Sequence, residues 1–454
     1  MKVVILGAGE VGIHLASRLV QEGQDVVIID QDQERVDFAR NHLDIQALQG
    51  EGSSPRVLRE AGIATADMVI AVTTSDEVNM IACLIASTQS STSMKIARIR
   101  NMEYLADSPI LGKGVLGIDL HINPEMEAAE TILKMIEIPK ATEVVDLADG
   151  KVRLVGIKIN EQCPVIGQQL KYLPEFHADK KVLIAALERD GKVIIPGGND
   201  SMEAGDNIWV ISPPENVDHV LAGLGISCEP IKRAMIFGGT IITRMVADKL
   251  LKMGLSLKIV DSDYNRCMRM AEEFPKAVVL HSPHVDQELF EEENISATDA
   301  FVSSSLDDEE NVLSALLAKR MGTRKVITVL ERPTYTQIVS TIGVDNVVSK
   351  RLAAVNKILA YLRKGRVRSA IALGNESTEI IEFEALETSQ IVGKPLQEIT
   401  FPRGLLVVAI IHEGEVRIPG GKDVIQPGDH VLILTVSGNI KAIERLVSVS
   451  LSYF

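Results

Sequence analysis

Apolar positions along this chain come in short runs separated by helical stripes. Val3-Val4-Ile5-Leu6 is a continuous run, too short for a helix and rich in β-branched residues, which predicts a strand buried on both faces of a parallel sheet. Val11, Leu15, Leu19 and Val20 then recur at three- and four-residue spacing, the stripe of an amphipathic helix that Gly23 ends. Val26 to Ile29 predicts the second strand, and the alternation continues with strands over 45–48, 68–72, 96–99 and 118–122. Helices are predicted after Ser54-Pro55, with Ser54 as cap, after Thr73-Thr74-Ser75-Asp76, and from Asn123-Pro124-Glu125 to about Ile136. Arg98 and Arg100, two apart in the fifth strand, are predicted to share a face. From Val144 to about Leu224 the pattern changes to short strands, such as 182–187 and 208–211, punctuated by Gly167, Pro196-Gly197-Gly198 and Glu203-Ala204-Gly205-Asp206.

At Met235 the first pattern returns. A shift of 231 residues lays Met235-Ile236-Phe237-Gly238 on Val4-Ile5-Leu6-Gly7 and Ile259-Val260-Asp261 on Ile28-Ile29-Asp30. Asp299 and Asn311 repeat Asp67 and Asn79, and Gly343-Val344-Asp345 repeats Gly117-Ile118-Asp119. The β-rich module recurs as well, with Pro419-Gly420-Gly421 and Pro427-Gly428-Asp429. The expected fold class is therefore α/β, a tandem duplication of a Rossmann-like parallel-sheet domain followed by a small β-rich α+β domain. Its expected domains are 1–140, 141–230, 231–368 and 369–454.

The first repeat carries Gly7-Ala8-Gly9-Glu10-Val11-Gly12 between its first strand and helix, and Asp30 stands 18 residues beyond Gly12. Gly7 suits the tight turn, Gly9 lets a diphosphate approach the backbone, and Gly12 lets helix and strand pack closely. Amides from this loop at the helix N-terminus cradle the phosphate, while Asp30, with Gln31 beside it, is placed for ribose hydroxyls and against a 2′-phosphate. NAD and ATP both fit this pattern. Asp30 as a helix cap, and Arg98 and Arg100 as solvated strand-end charges rather than phosphate ligands, are the structural alternatives. In the second repeat Thr240 and Thr243 replace Gly9 and Gly12, His281 and Pro283 replace Gly50 and Gly52, and Thr328 and Leu330 replace Arg98 and Arg100. A β-branched residue at the second glycine obstructs the diphosphate, so the second half is expected to be weak, altered or empty.

Composition narrows the partners. The chain has 454 residues, 46% hydrophobic and 24% charged, as in a soluble globular protein, and a formal charge of −15 argues against nucleic acid or an anionic membrane surface. No apolar run reaches the ~18 residues of a membrane span, and the start of the chain does not resemble a signal peptide, so a cytoplasmic location is expected. Cys83, Cys163, Cys228 and Cys267 form no Cys-x-x-Cys pair, and His281 with His284 lacks a third ligand, so no metal site is expected. Trp209 reads as core or interface, and Asp32 and Arg35 as surface groups. An NAD-dependent dehydrogenase would need a proton donor or acceptor beside the nicotinamide, and the β-rich modules offer no such cluster. No catalytic residue is assigned.

The runs Gln49-Gly50-Glu51-Gly52-Ser53, Ala71-Val72-Thr73-Thr74-Ser75-Asp76-Glu77-Val78-Asn79-Met80 and Ile96-Ala97-Arg98-Ile99-Arg100, with the Pro-Gly-Gly and Gly-Asp turns, resemble the RCK (KTN) family over essentially the whole chain. In tandem form this family supplies the peripheral nucleotide-binding subunit of the bacterial Trk potassium-uptake system. The resemblance implies a non-enzymatic regulator on the inner face of the cell membrane, a homotetrameric ring of eight RCK units, and a membrane potassium-conducting Trk subunit as partner. It implies ATP, ADP or NAD(H) as ligand, with a divalent cation accompanying the nucleotide. By position it assigns nucleotide contacts to Gly7, Gly9, Gly12, Asp30, Glu51, Thr73, Arg98 and Arg100. Glu51 stands where many members have aspartate. Glu125 is a further candidate acid, whereas Lys350 and Arg351 occupy its neighbourhood in the second half.

Overall fold

The computed structural model describes residues 1–454 except 91–92, 106–109, 113, 174–180, 228, 333–334, 336–338, 340–343, 345, 363–366, 374–377, 403, 437–442, 444–445 and 447–454. Cys228, Gly343 and Asp345 lie outside the described residues.

In the first half, strands β1 (Lys2–Leu6), β2 (Asp25–Asp30), β3 (Gln46–Gln49), β4 (Met68–Ala71), β5 (Met94–Arg98) and β6 (Leu120–Ile122) form one sheet. They alternate with helices α1 (Glu10–Gln21), α2 (Gln33–His42), α3 (Pro55–Glu60), α4 (Asp76–Gln89), α5 (Met102–Leu105) and α6 (Pro124–Glu137). The strands are parallel and ordered β3-β2-β1-β4-β5-β6. β1 is central, with Val4 level with Val27 and Val69, and its Val3–Leu6 run is wholly buried because both faces are covered. The order reverses between β1 and β4, and at such a switch point open α/β sheets bind ligands beyond the carboxyl ends of the strands.

α1 is turned slightly from the expected stripe. Gly12, Leu15, Ala16 and Leu19 are buried, while Val11 and Val20 are only half-buried. Gly12 explains the rotation, since with no side chain it lets the helix settle onto the carbonyl of Gly7. Gly23, at φ +76°, follows the end of the helix. Ser54 does precede α3 and Pro55 begins it, but the Ser54 side chain makes no capping hydrogen bond.

The β-rich module consists of β7 (Ala141–Leu147), β8 (Val152–Lys158), β9 (Leu183–Arg189), β10 (Lys192–Ile194) and β11 (Asn207–Ser212), followed by α7 (Val217–Gly223). The second half repeats the parallel sheet with β12 (Arg233–Phe237), β13 (Ser256–Asp261), β14 (Val278–His281), β15 (Ala300–Ser303), β16 (Lys325–Leu330) and β17 (Val347–Ser349). Its helices are α8 (Ile241–Lys252), α9 (Tyr264–Glu273), α10 (Gln287–Glu292) and α11 (Asp308–Arg320). β18 (Val367–Leu373), β19 (Thr378–Glu384), β20 (Leu405–His412), β21 (Glu415–Arg417) and β22 (His430–Val436) form the second antiparallel sheet.

Two compact units result, one of Met1–Glu127 with Lys350–Tyr361, the other of Ala128–Ser349 with Leu362–Phe454. Within the first, the helix Lys350–Leu362 brings Arg351 Nη1 to 3.1 Å from His14 Nδ1, and Tyr361 OH donates to Asp119 O at 3.0 Å. Lys350 and Arg351, which directly follow β17, thus belong to the first compact unit. Within the second unit, Ala129, Ile132 and Met135 of α6 share a core with Ile236, Val246 and Leu250. There too Trp209 packs with Ile380, Leu432 and Leu434 between the two antiparallel sheets, and its Nε1 donates to Glu143 Oε2 at 2.8 Å. Trp209 is thus core and interface at once.

The repeated Gly-Asp turns prove to be built by their aspartates. Asp206 Oδ2 accepts from Glu203 N at 2.9 Å, and Asp429 Oδ2 accepts from Gln426 N at 2.8 Å. Arg189 grips Asp206 through Nε and Nη2 at 2.9 and 2.8 Å, whereas in the second copy His412 Nδ1 lies 2.6 Å from Asp429 Oδ1.

Candidate nucleotide-binding site

β1 feeds the glycine loop. Gly7 adopts φ +103°, and its amide donates to Ile29 O at 2.8 Å, tying the turn to β2. Ala8 N–H donates to Asp30 Oδ2 at 2.6 Å, and Asp32 N–H to Asp30 Oδ1 at 2.9 Å. Asp30 is buried and held against the loop by these bonds, with lone pairs remaining on both oxygens. The cap of α2 is Asp32, which accepts from Glu34 N at 2.9 Å, so Asp30 is not the helix cap.

α1 begins with Gly9 at its cap position and no side-chain cap. The first amides of a helix have no intrahelical acceptor and carry its positive end, so this turn is suited to an anion. A Cβ on Gly9 would meet no atom closer than Arg35 Nη1 at 3.8 Å, whereas a Cβ on Gly12 would fall 1.8 Å from Gly7 O. The loop is therefore open above Gly9 and closed beneath Gly12. Glu10 is exposed and Val11 half-buried.

The opposite lip is tied together by side chains. Asn79 Oδ1 accepts from Thr73 N at 3.0 Å and Thr73 Oγ1 at 2.7 Å, while its Nδ2 donates to Arg98 O at 2.9 Å. Asp76 Oδ2 accepts from Arg100 N at 2.9 Å and Asn101 N at 2.8 Å, which draws the chain out of the sheet after Arg98. Arg100 thus lies beyond β5, and the expectation that it shares a strand face with Arg98 is corrected. Arg98 Nη2 lies 3.7 Å from Glu125 Oε1, while Arg100 Nη2 donates to Thr74 O at 2.6 Å. Gln31 and Glu51, after β2 and β3, are exposed, and the Gln31 carbonyl accepts from Gln49 Nε2 at 3.3 Å. All these residues follow carboxyl ends of the strands or loops beside them. Gly7, Ala8, Asp30 and Thr73 are brought into direct proximity.

Spacing alone does not mark Asn79 and Asp76 as site residues; their recurrence as Asn311 and Asp308 is the signal that the sequence carries. Asn311 accepts from Ser305 N at 2.7 Å and donates to Val329 O at 3.1 Å, and Asp308 accepts from Glu331 N and Arg332 N at 3.0 and 2.9 Å.

The second crevice has the same frame and different contents. Thr240 caps α8, accepting from Thr243 N at 3.4 Å, and Thr243 is fully buried with its hydroxyl against Gly238 O and 2.8 Å from Ser304 Oγ. Asp261, the counterpart of Asp30, accepts from Gly239 N, from Asp263 N at 2.7 Å and from Arg266 Nε at 3.0 Å. The hydrogen bond to Asp261 raises the Arg266 pKa. Thr328 and Leu330 are buried in the sheet.

His281 Nε2 lies 3.2 Å from Ser262 O, and among the described residues no group of three His, Cys, Asp or Glu side chains is arranged to hold a metal ion. Cys83, Cys163 and Cys267 are buried and free; burial pushes the Cys83 thiol up to about 12, far from nucleophilic use. Among the described residues no helix is long and apolar enough to cross a membrane.

Comparison with known proteins addresses the whole chain. The TrkA-N domain family matches residues 3–124 and 234–350, and the TrkA-C domain family matches 154–225 and 380–448. A Trk system potassium uptake protein TrkA from Azorhizobium caulinodans is 36% identical over 458 residues, covering 100% of both chains. Its counterpart from Haemophilus influenzae is 36% identical over 451 residues, covering 98% of each. Among solved structures, the GsuK RCK domain aligns with a TM-score of 0.59 at 15% identity, covering 98% of this chain and 94% of that one. The GsuK channel bound to NAD aligns with a TM-score of 0.60 at 14% identity, covering 98% and 78%. These two likenesses concern the fold. With both domain families matched twice and relatives aligned end to end, the chain belongs to the TrkA family, the non-enzymatic regulatory subunits of Trk potassium-uptake systems.

Proposed function

We propose that the first crevice binds an adenine nucleotide, NAD(H) or ATP/ADP, and that its occupancy changes the shape of an RCK ring which gates the membrane potassium-conducting Trk subunit. The observation that carries this reading is the uncapped start of α1, open above Gly9 and flanked by Asp30 at the switch point of the sheet. In the second half Thr240 caps the equivalent helix, so nucleotide is assigned to the first half.

Amides of Gly9 to Gly12 hold the diphosphate, Asp30 takes the ribose, and Thr73, Glu51, Gln31, Arg98 and Arg100 form the rim. A divalent cation accompanying the nucleotide would rest chiefly on its phosphates. The assembly is a homotetramer on the cytoplasmic face, where the acidic chain meets loops rich in lysine and arginine. A ligand shifts such an equilibrium only by its differential affinity for the two ring shapes, and a coupling of about 1–3 kcal/mol changes conductance up to about a hundredfold.

The test is potassium flux through the co-reconstituted membrane subunit with NADH, ADP or ATP. Asp30→Asn and Arg100→Ala should abolish the nucleotide response while the ring, measured by light scattering, stays assembled. An unchanged response in both variants would overturn this reading.

A further inference from the structure

The two crevices share one arginine that is used in two ways. Arg35 and Arg266 occupy the same place in the repeat, five residues beyond Asp30 and Asp261. In the second half Arg266 turns onto the acid, with Nε at 3.0 Å and Nη2 at 2.9 Å from Asp261 Oδ1. Asp263 N donates to the same oxygen at 2.7 Å, and Gly239 N binds the other, so the carboxylate has little acceptor capacity left for a sugar hydroxyl. In the first half Arg35 leaves Asp30 to the backbone amides of Ala8 and Asp32. It stands half-exposed with Nε 3.6 Å from Asp32 Oδ2, and Nη1 lies 3.8 Å from where a Cβ on Gly9 would be.

The two copies also differ at the second glycine position, Gly9 in the first and Thr240 in the second. Beside Gly9 the guanidinium has room above the loop. In the second half a threonine stands at that position, its hydroxyl turned to Thr243 and Ser304, and Arg266 lies in an ion pair with the buried acid. Asp32 and Asp263 are acidic groups beside the two arginines: Asp32 pairs with Arg35 at 3.6 Å, whereas Asp263 is 4.0 Å from Arg266 Nη1, farther than Asp261.

We propose that this arginine selects which half takes a diphosphate-containing nucleotide. Arg35 contributes a cation to the diphosphate over Gly9, and Arg266 closes the second crevice by occupying its ribose acid. The inference rests on nucleotide binding by the first half and adds to it two residues, neither assigned so far, and a stoichiometry of one nucleotide per chain. A guanidinium over the loop suits a diphosphate because its planar donors match phosphate oxygens.

Isothermal titration of the full chain with NADH and with ADP tests both roles. Wild type is expected to bind one equivalent. Arg35→Ala should weaken binding about tenfold, the scale of one charge-assisted hydrogen bond, at an unchanged melting temperature, and Arg35→Lys should recover part of the loss. T240G/R266A, which leaves the buried Thr243 in place, should raise the stoichiometry toward two; R266A alone keeps the test available if the double variant unfolds, by showing weak second-site binding. No binding by wild type would overturn the functional reading together with this inference. One-site binding with undiminished affinity in Arg35→Ala would overturn the role of Arg35 alone. Two equal sites in wild type, or one site in both Arg266 variants, would overturn the closure by Arg266.

Discussion

Gly9 and Gly12 are both glycines for want of a Cβ, yet substitution should separate them. Gly9 has φ −78°, which any residue adopts, and a methyl there touches nothing closer than 3.8 Å. Gly9→Ala should therefore keep its unfolding free energy within about 0.5 kcal/mol of wild type, while nucleotide affinity falls because the methyl stands in the path of the diphosphate. Gly12→Ala places a methyl 1.8 Å from Gly7 O, so helix and strand must move apart. We expect a loss of about 1–3 kcal/mol, seen as a lower urea midpoint whether or not nucleotide is present. Equal melting behaviour of the two variants would contradict this division of roles.

Among the elements, the ends of β4 and β5 are held by one buried amide side chain, Asn79, and the ends of β15 and β16 by Asn311. Removing either leaves a buried strand-end carbonyl and a loop amide without their partners, a cost of about 1–3 kcal/mol per group. Asn79→Ala and Asn311→Ala should both lower the thermal midpoint, but only Asn79→Ala should also reduce nucleotide affinity, since it frees Thr73. Calorimetry of both variants with and without NADH measures the two effects together. A neutral Asn311→Ala would mean that the repeated bond is not repeated in its energetics.

For the whole molecule, acid stability follows from carboxylates held by partners. Burial works against the charge of Asp206, but hydrogen bonds from Arg189 outweigh it and lower the pKa. Burial likewise opposes Asp299, and the amides of Lys232 and Arg233 with Arg324 outweigh it. A carboxyl depressed in the folded state contributes stability that is complete above its unfolded pKa, about 3.9, and is lost as pH falls through the lower folded value. Urea midpoints should therefore be flat from pH 7 to about 5 for these two groups and fall below about pH 4. Asp206→Asn should show a shallower fall than wild type; an identical slope would remove Asp206 from the acid transition.

Periodicity and repetition alone determined the alternating strands and helices, the tandem duplication, the glycine loop and its acid, because each is a local pattern set by neighbours a few residues away. Spacing places Arg100 on the strand, but its amide binds Asp76, a residue 24 positions earlier, and β5 ends at Arg98. Tertiary structure alone decided that the closing helix of the second half joins the first unit, that Trp209 lies between two sheets, and that one arginine stands beside the glycine loop in one copy and binds an aspartate in the other. Those outcomes depend on which side chain fills a space first. Spacing along the chain carries no record of that competition.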